Sequence, residues 1–569
     1  NCEKCGAECS LKKVISSLEK NCEYVDGTSI SGHRFSVNDD LTRHISDAFK
    51  EYDVSTNDLL LEVLKKPSFE KCCIEIVSGD IQLGKSLQIK CIAWFSIFIY
   101  KTPVLILFRS IKKDISQFTN DLKKMNEGFH SRYIKPCFDG CNVGEDDDYR
   151  LPDPKDLTQN NYVNELEEER ISYRNLYCML THVASMEKLT ERLANNIRKH
   201  GKKVKLTVII DEADMFGPSS SHDRNNKKDN SDTTKSEKLL TDIALMVTHI
   251  IKVTGSALPL YTNFVSTNPN TGTSYVHDTS RIFVMKKKEN YYGITNVENN
   301  VINWDVETID PFWDETKYSI QTDFEINIKT IIDSIVKRKG RKYNSLLIGE
   351  EKVRTKQKDL LDLCGNEYND RNMFFILYNG TILELLFSSK FKSILKACET
   401  YMNLRCDEPV KYGSFESLQI KKNGDIRDIY TLLSDLIASN DAIFNENTPL
   451  NCVTISGNFA NRGLSFTANL YSAERCFHLT DQYIPNHTNS DAVTISQYIR
   501  LMGAYNDKPI LTIWTTPMVR DKISNYVQLI NKCNRELMNY YGIQAIQEYL
   551  ENTLISVKDD MHNICTYAF

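Results

Sequence analysis

No apolar stretch in this 569-residue chain is long enough to cross a bilayer. The candidate run, Cys91 to Tyr100, stops at Lys101, well short of the roughly 20 residues that a spanning helix needs. The chain begins at Asn1 with no signal-peptide pattern, so neither a membrane nor secretion is implied. Charge of one sign is not in excess. Seventy Lys and Arg stand against 76 Asp and Glu, a net −6, which excludes a protein coated in basic surface while leaving room for a local groove that tracks nucleic acid. An even cysteine framework is also missing. The 17 cysteines are odd in number, and most sit singly in apolar segments, among them Cys91, Cys178, Cys398, Cys452 and Cys476. Buried free thiols in a reducing intracellular compartment, cytoplasm or nucleus, are expected.

What is present is core material. Hydrophobic residues make up 41% and charged residues 26%, with 28 Tyr and 24 Phe, which is ordinary for a globular protein and unlike a disordered one. At 65.5 kDa the chain is too long for one core, and length alone gives roughly three to four domains, or two large ones with attachments.

The chain is organised around Gly79-Asp80-Ile81-Gln82-Leu83-Gly84-Lys85-Ser86. This stretch follows the apolar run Cys72 to Val77 and precedes Leu87 to Phe95, in the order strand, glycine loop, helix. Glycines let backbone N–H groups turn inward around phosphates. The lysine reaches the β- and γ-phosphates, and the Ser86 hydroxyl can hold Mg²⁺.

The rest of the first half alternates. Pro103 to Arg109 reads as a buried parallel strand, Ser116 to Met125 as a helix, Asn175 to Leu180 as a strand and Met186 to His200 as an amphipathic helix. An acidic polar stretch from Glu145 to Glu169 reads as a solvated insertion. Val204 to Ile210 is a β-branched strand that ends in Asp211-Glu212-Ala213-Asp214. An aspartate there can bind Mg²⁺, and the adjacent glutamate can orient or deprotonate water. Gly217 to Lys238 has almost nothing apolar and reads as a loop. A helix over Leu239 to Ile251 then leads into Val253-Thr254-Gly255-Ser256-Ala257. Those small residues either couple nucleotide state to the rest of the molecule or simply make a tight turn.

A basic run, Lys337-Arg338-Lys339-Gly340-Arg341-Lys342, reads as a solvated linker, with contact to a nucleic-acid backbone as the other reading. Strands then recur at Ser345 to Ile348, Met373 to Leu377, Cys452 to Ile455, Cys476 to Leu479 and Ile510 to Trp514, with helices between them. This second α/β unit has no phosphate loop of its own. Its polar signals are Gly457 to Phe466 and Ser496 to Gly503. At the N-terminus, Cys2 and Cys5 have the knuckle spacing of zinc sites, and Cys9 and Cys22 offer further ligands. The alternative is a flexible cysteine-bearing terminus.

With these residues in view, the chain resembles the superfamily 2 helicases and translocases over about Ile74 to Thr516. Gly79 to Ser86 is similar to the family's first motif and Asp211-Glu212-Ala213-Asp214 to its second, of the DEAD box type. Gly255-Ser256-Ala257 is similar to the third, Asn461-Arg462-Gly463-Leu464-Ser465 to the fifth, and Gln497 to Gly503 to the sixth. The resemblance implies two RecA-like parallel-sheet domains with helical N- and C-terminal additions, ATP as cofactor in the inter-lobe cleft, and single-stranded or duplex DNA or RNA as partner. The family's sixth motif carries several arginines, whereas only Arg500 lies in this window. Arg500 is therefore the candidate arginine finger and Arg462 the reserve. Asp214, Gly255, Ser256, Ala257, Asn461, Arg462, Gly463, Gln497 and Gly503 would carry the coupling.

The expected division is a cysteine-rich segment over 1–36, a first NTPase domain over 37–290, a linker over 291–343, a second domain over 344–517 and a helical extension over 518–569. The expected function is an ATP-dependent nucleic-acid helicase or translocase. The alternatives are a remodelling ATPase that does not unwind, and a packaged or scaffold component with a degenerate site. A GTPase reading finds no Asn-Lys-x-Asp segment to read guanine. Abundant Asn, Ile, Lys and Tyr hint at an AT-rich genome, such as that of a large DNA virus. A virion location and partners from a transcription or replication complex would then be natural.

Overall fold

The computed structural model describes residues 73–129 (without 80–82, 95, 98–100, 110 and 111), 150–213 (without 159), 235–255, 265–267, 274–276, 281–285, 290–293, 320–349, 361, 368, 372–404 (without 379–382), 406, 408–420, 425–456, 465–468, 477–484, 498–505, 510–515, 519, 520 and 523–525. The chain divides into two compact units, one of residues 1–288 and 532–569 and the other of residues 289–531. Both are α/β, the class that the alternation predicts.

The first unit is built on β1 (Cys73–Ser78), β2 (Val104–Phe108), β3 (Lys155–Asp156), β4 (Leu176–Leu180), β5 (Val204–Ile210) and β6 (Val247–Thr254), followed by β7 (Val265–Thr267), β8 (Ser274–Val276) and β9 (Arg281–Val284). Seven of these form one sheet in the order β3-β4-β2-β5-β6-β1-β9, with every neighbouring pair parallel. A parallel sheet is covered on both faces, so its strands are apolar throughout rather than alternating. All five residues of β2 and all five of β4 are buried.

The longer helices among the described residues of this unit are α1 (Lys85–Trp94), α2 (Lys112–Phe129), α3 (Val183–His200) and α4 (Lys235–Met246). Helix α3 shows how the local sequence sets an element. Met186, Leu189 and Leu193 recur on one face and are buried, each contributing about 1.5–3 kcal/mol by leaving water. Arg198, Lys199 and His200 complement the negative end of the helix. Gly201, at φ 69°, closes it by donating to the Ile197 carbonyl oxygen at 2.7 Å.

Here the structure differs from the sequence-based expectation. The helix predicted over Leu239 to Ile251 ends at Met246, and Val247 begins β6. β6 lies between β5 and β1. The β-branched run Val247-Thr248-His249-Ile250-Ile251 fits a central strand, and sheet pairing overrides the helical spacing before it.

The second unit contains β10 (Tyr291–Tyr292), β11 (Tyr343–Ile348), β12 (Met373–Tyr378), β13 (Leu383–Phe387), β14 (Val410–Tyr412), β15 (Phe415–Gln419), β16 (Leu450–Ser456), β17 (Asp481–Tyr483), β18 (Gly503–Ala504) and β19 (Thr512–Trp514). Its main sheet has the order β14-β15-β13-β12-β16-β11-β17-β19. From β12 to β19 it is parallel. The edge β13-β15-β14 is antiparallel, so the sheet is mixed rather than parallel as expected. Helix α5 (Ile320–Lys337) lies in the stretch read as linker, yet Ile328, Ile331, Ile332 and Ile335 sit in the core of this unit. Helix α6 (Ile426–Ser439) opens with a reciprocal capping box between Asp425 and Asp428.

The strand expected at Cys476 to Leu479 is reduced to a single bridge between Thr467 and His478, and the strand forms instead at Asp481–Tyr483. Asp481 is fully buried. It accepts from Arg338 Nη1 at 2.7 Å, Trp514 Nε1 at 2.9 Å and Thr480 Oγ1 at 2.7 Å. A carboxylate inside a strand is tolerated because it is paired, and two of those partners, Arg338 and Trp514, come from distant sequence. The same contacts revise the reading of the basic run. Arg338 is bound to Asp481 and lies 5.3 Å over the Trp514 ring, and Lys342 pairs with Asp441 at 2.8 Å. Arg338 therefore serves the turn from α5 into β11, while the Lys342–Asp441 pair is exposed, as the solvated reading expects.

Among the described residues no helix is long and apolar enough to cross a membrane. Cys91, Cys178, Cys398 and Cys452 are buried free thiols.

Candidate active site

The carboxyl edge of the first sheet gathers the residues singled out by sequence. In open parallel sheets this edge is where ligands bind. Gly79 follows β1 and donates to the Thr254 carbonyl oxygen at the end of β6, at 3.1 Å. A Cβ on Gly79 would lie 2.5 Å from Met285 Sδ, and Met285 itself donates to the Ser78 carbonyl oxygen at 2.8 Å. Three chain segments thus meet at a residue with no side chain. Gly84, at φ 93°, takes the left-handed turn that starts α1, and its carbonyl oxygen accepts from Leu87 and Gln88 at 3.0 and 3.1 Å.

Lys85 is the first residue of α1 and folds back over the loop. Its Nζ donates to the Gly79 carbonyl oxygen at 3.1 Å. The same Nζ faces the end of β6, where a Cβ on Gly255 would lie 3.5 Å from it. Ser86, the next residue, is exposed.

Asp211 immediately follows β5, and its N–H donates to the Leu107 carbonyl oxygen of β2 at 3.0 Å. Its Oδ1 accepts the N–H of Glu212 at 3.0 Å. Glu212 has φ 50°, an uncommon conformation for a residue with a side chain. The strand therefore ends in a tight turn that leaves both carboxylates at the edge, each half-buried. Burial and then the neighbouring Glu212 push the Asp211 carboxyl above the usual carboxylate range, against the pull of Lys85.

Two residues that sequence reasoning did not single out join this edge. Arg109 directly follows β2 and is buried. Its Nε bonds Asp114 Oδ2, and its Nη2 bonds Asp114 Oδ1 at 3.2 Å. β2 and β5 are paired through Leu107 and Ile210, which sets Arg109 beside Glu212 along the two chain continuations. Burial works against the guanidinium's charge. The hydrogen bond to Asp114 and the carboxylates of Asp114, Glu212 and Asp211 more than offset it. A charged residue at the carboxyl end of an otherwise apolar strand was the available signal.

The donor set fits a nucleotide triphosphate with Mg²⁺. Lys85 and the start of α1 suit phosphate oxygens. Ser86 and Asp211 offer hard oxygens, too few to cage a metal alone, as suits an ion that keeps water and phosphate ligands. Among the described residues no group of three or more His, Cys, Asp or Glu can hold a metal ion.

In the second unit Arg500 is buried, with its backbone N–H held by Gln482 Oε1 at 2.6 Å. Gly503 opens β18 at φ 154°. Asp80, Ile81, Gln82, Asp214, Ser256, Ala257, Asn461, Arg462, Gly463 and Gln497, and the zinc candidates Cys2, Cys5, Cys9 and Cys22, lie outside the described residues.

No family model matches the chain, and no curated protein matches it. Solved structures similar to it include the DUF1998 helicase MrfA bound to DNA and AMPPNP, at 11% identity and a TM-score of 0.38, over 93% of this chain and 58% of that one. Dbp5 of S. cerevisiae, bound to RNA and ADP BeF3, is 8% identical with a TM-score of 0.36, over 86% of this chain and 91% of that one. The helicase Lhr of Mycobacterium smegmatis, bound to ssDNA and AMP-PNP, is 8% identical with a TM-score of 0.35, over 83% of this chain and 45% of that one.

Proposed function

We propose that the protein is an ATP-dependent nucleic-acid helicase or translocase. The observation that carries the reading is the placement of Lys85 Nζ, 3.1 Å from the Gly79 carbonyl oxygen, at the same carboxyl edge as the Asp211-Glu212 turn. A phosphate-binding lysine and a paired-carboxylate strand end on one parallel sheet are the parts that phosphoryl transfer to water requires.

Bound ATP would supply the γ-phosphoryl group, and Mg²⁺ would neutralise the charge that develops on it. In this reading Lys85 holds the β- and γ-phosphates, and Ser86 and Asp211 hold the metal. Glu212 orients and deprotonates the attacking water. Arg500 is the group that would stabilise the departing phosphoryl. Coupling of hydrolysis to movement on DNA or RNA follows if nucleic acid engages both units.

The test is ATP hydrolysis with and without single-stranded DNA or RNA, for wild type and Lys85→Ala. Hydrolysis stimulated by nucleic acid and lost in the mutant is expected. An equal rate in the mutant would sink the reading.

A further inference from the structure

Residues 499–502 belong to no regular element, so the backbone groups around Arg500 must find partners elsewhere. Two of those partners come from one side chain. Gln482 lies in the middle of β17, between Leu347 of β11 and Ile513 of β19, and is 3% exposed. Its Nε2 donates to the Tyr498 carbonyl oxygen at 2.7 Å, and its Oε1 accepts the Arg500 N–H at 2.6 Å. One partner can only accept and the other can only donate, so the orientation of the amide is determined. Both ends of the side chain are used, and they grip the backbone on either side of Ile499.

The segment is held again just beyond. Tyr505 donates its N–H to the Asn290 carbonyl oxygen at 3.0 Å and its hydroxyl to the Leu501 carbonyl oxygen. β18 pairs antiparallel with β10, Tyr291 opposite Ala504 and Tyr292 opposite Gly503. The Tyr292 and Tyr505 rings meet edge-on with centroids 5.5 Å apart. Arg500 therefore sits between a side-chain clamp from the sheet and a two-stranded ribbon.

We propose that Gln482 is a positioning residue for Arg500, fixing the backbone from which the guanidinium is presented. The proposal rests on the reading of Arg500 as the group that stabilises the γ-phosphoryl in transfer. Losing the amide would remove both of these hydrogen bonds and let the Arg500 segment shift. A displacement of about 1 Å costs roughly 100-fold in rate where geometry is catalytic. Because Arg500 would act on the transition state, the loss should fall on kcat.

The experiment measures ATPase kinetics and thermal melting of the full chain for wild type, Gln482→Ala, Gln482→Glu, Arg500→Ala and the double variant Q482A/R500A, with single-turnover rates where turnover is slow. Gln482→Ala should lower kcat about 10- to 100-fold with KM for ATP within about threefold. In the Arg500→Ala background the same replacement should change the residual rate by less than about twofold, since a residue acting through Arg500 has nothing left to position. A wild-type kcat for folded Q482A, or an equal loss with and without Arg500, would overturn the proposal. If Q482A melts below the assay temperature, Q482E decides. It keeps the volume but sets a carboxylate against the Tyr498 carbonyl, so a folded Q482E with wild-type kcat overturns the clamp as well. A wild-type rate for Arg500→Ala would instead remove the reading of Arg500 itself, whatever Gln482 does.

Discussion

The Lys85 ammonium donates to the carbonyl oxygen of Gly79, six residues earlier, at 3.1 Å. The loop's own backbone thus accepts from this cation, and in the proposed function the lysine is held where a phosphate would arrive instead of ranging through solvent. Lys85→Ala removes both the hold and the charge. It should lower ATP hydrolysis at least about 100-fold, the scale for losing one preorganised donor, and a steady-state phosphate-release assay reads this directly.

Gly84 makes a separate prediction about stability. A Cβ there would meet nothing within 4 Å, so contact alone says that alanine is harmless. The backbone says otherwise: at φ 93° an L side chain is strained, at a cost of about 1–2 kcal/mol. Gly84→Ala should lower the urea midpoint accordingly, and an unchanged midpoint would show that the turn can relax.

Asp481 and Arg338 test the revised role of the basic run. Removing a buried carboxylate that neutralises an arginine costs about 3–5 kcal/mol. Asp481 is fully buried and Arg338 mostly so, so Asp481→Ala should approach that range, with Asp481→Asn, which keeps an acceptor for Trp514, costing less. Chemical denaturation followed by tryptophan fluorescence measures both. Arg338→Ala should leave the salt dependence of nucleic-acid binding unchanged. A shallower slope, by about 0.7 for one lost phosphate contact on a single strand, would return this arginine to the nucleic-acid surface.

Glu167 carries a prediction about pH. Hydrogen bonds from Lys199, Arg192 and Asn195 lower its carboxyl from 4.5 to about 2. The folded state therefore holds this group charged more readily than the unfolded chain does. The stability it contributes is fully present above the unfolded value of about 4.5 and is lost as pH falls from there through about 2. Glu167→Gln should narrow the gap from wild type across that window and leave it constant above pH 6. Denaturation midpoints at several pH values check the sign, and a gap that widened towards low pH would refute it.

Sequence alone was enough for the parts of this protein that depend on short spacing. Gly79 to Ser86 announces a turn into a helix because glycine permits the backbone and lysine supplies the charge within eight residues. The run Val204 to Ile210 announces a buried strand, and Asp211-Glu212 its polar end, because a parallel strand is apolar on both faces. β2, β4, β11, β12 and β16 were legible for the same reason. Tertiary structure decided what depends on partners far along the chain. Whether Val247 to Ile251 is helix or strand turns on a place between β5 and β1. Asp481 can be a buried strand residue because Arg338 and Trp514, far along the chain, satisfy it. Gln482 and Asp114 give no sign in a linear reading, since a glutamine and an aspartate are common in any chain. What distinguishes them is that folding leaves a buried backbone segment and a buried guanidinium needing partners, and places these two side chains where they can supply them.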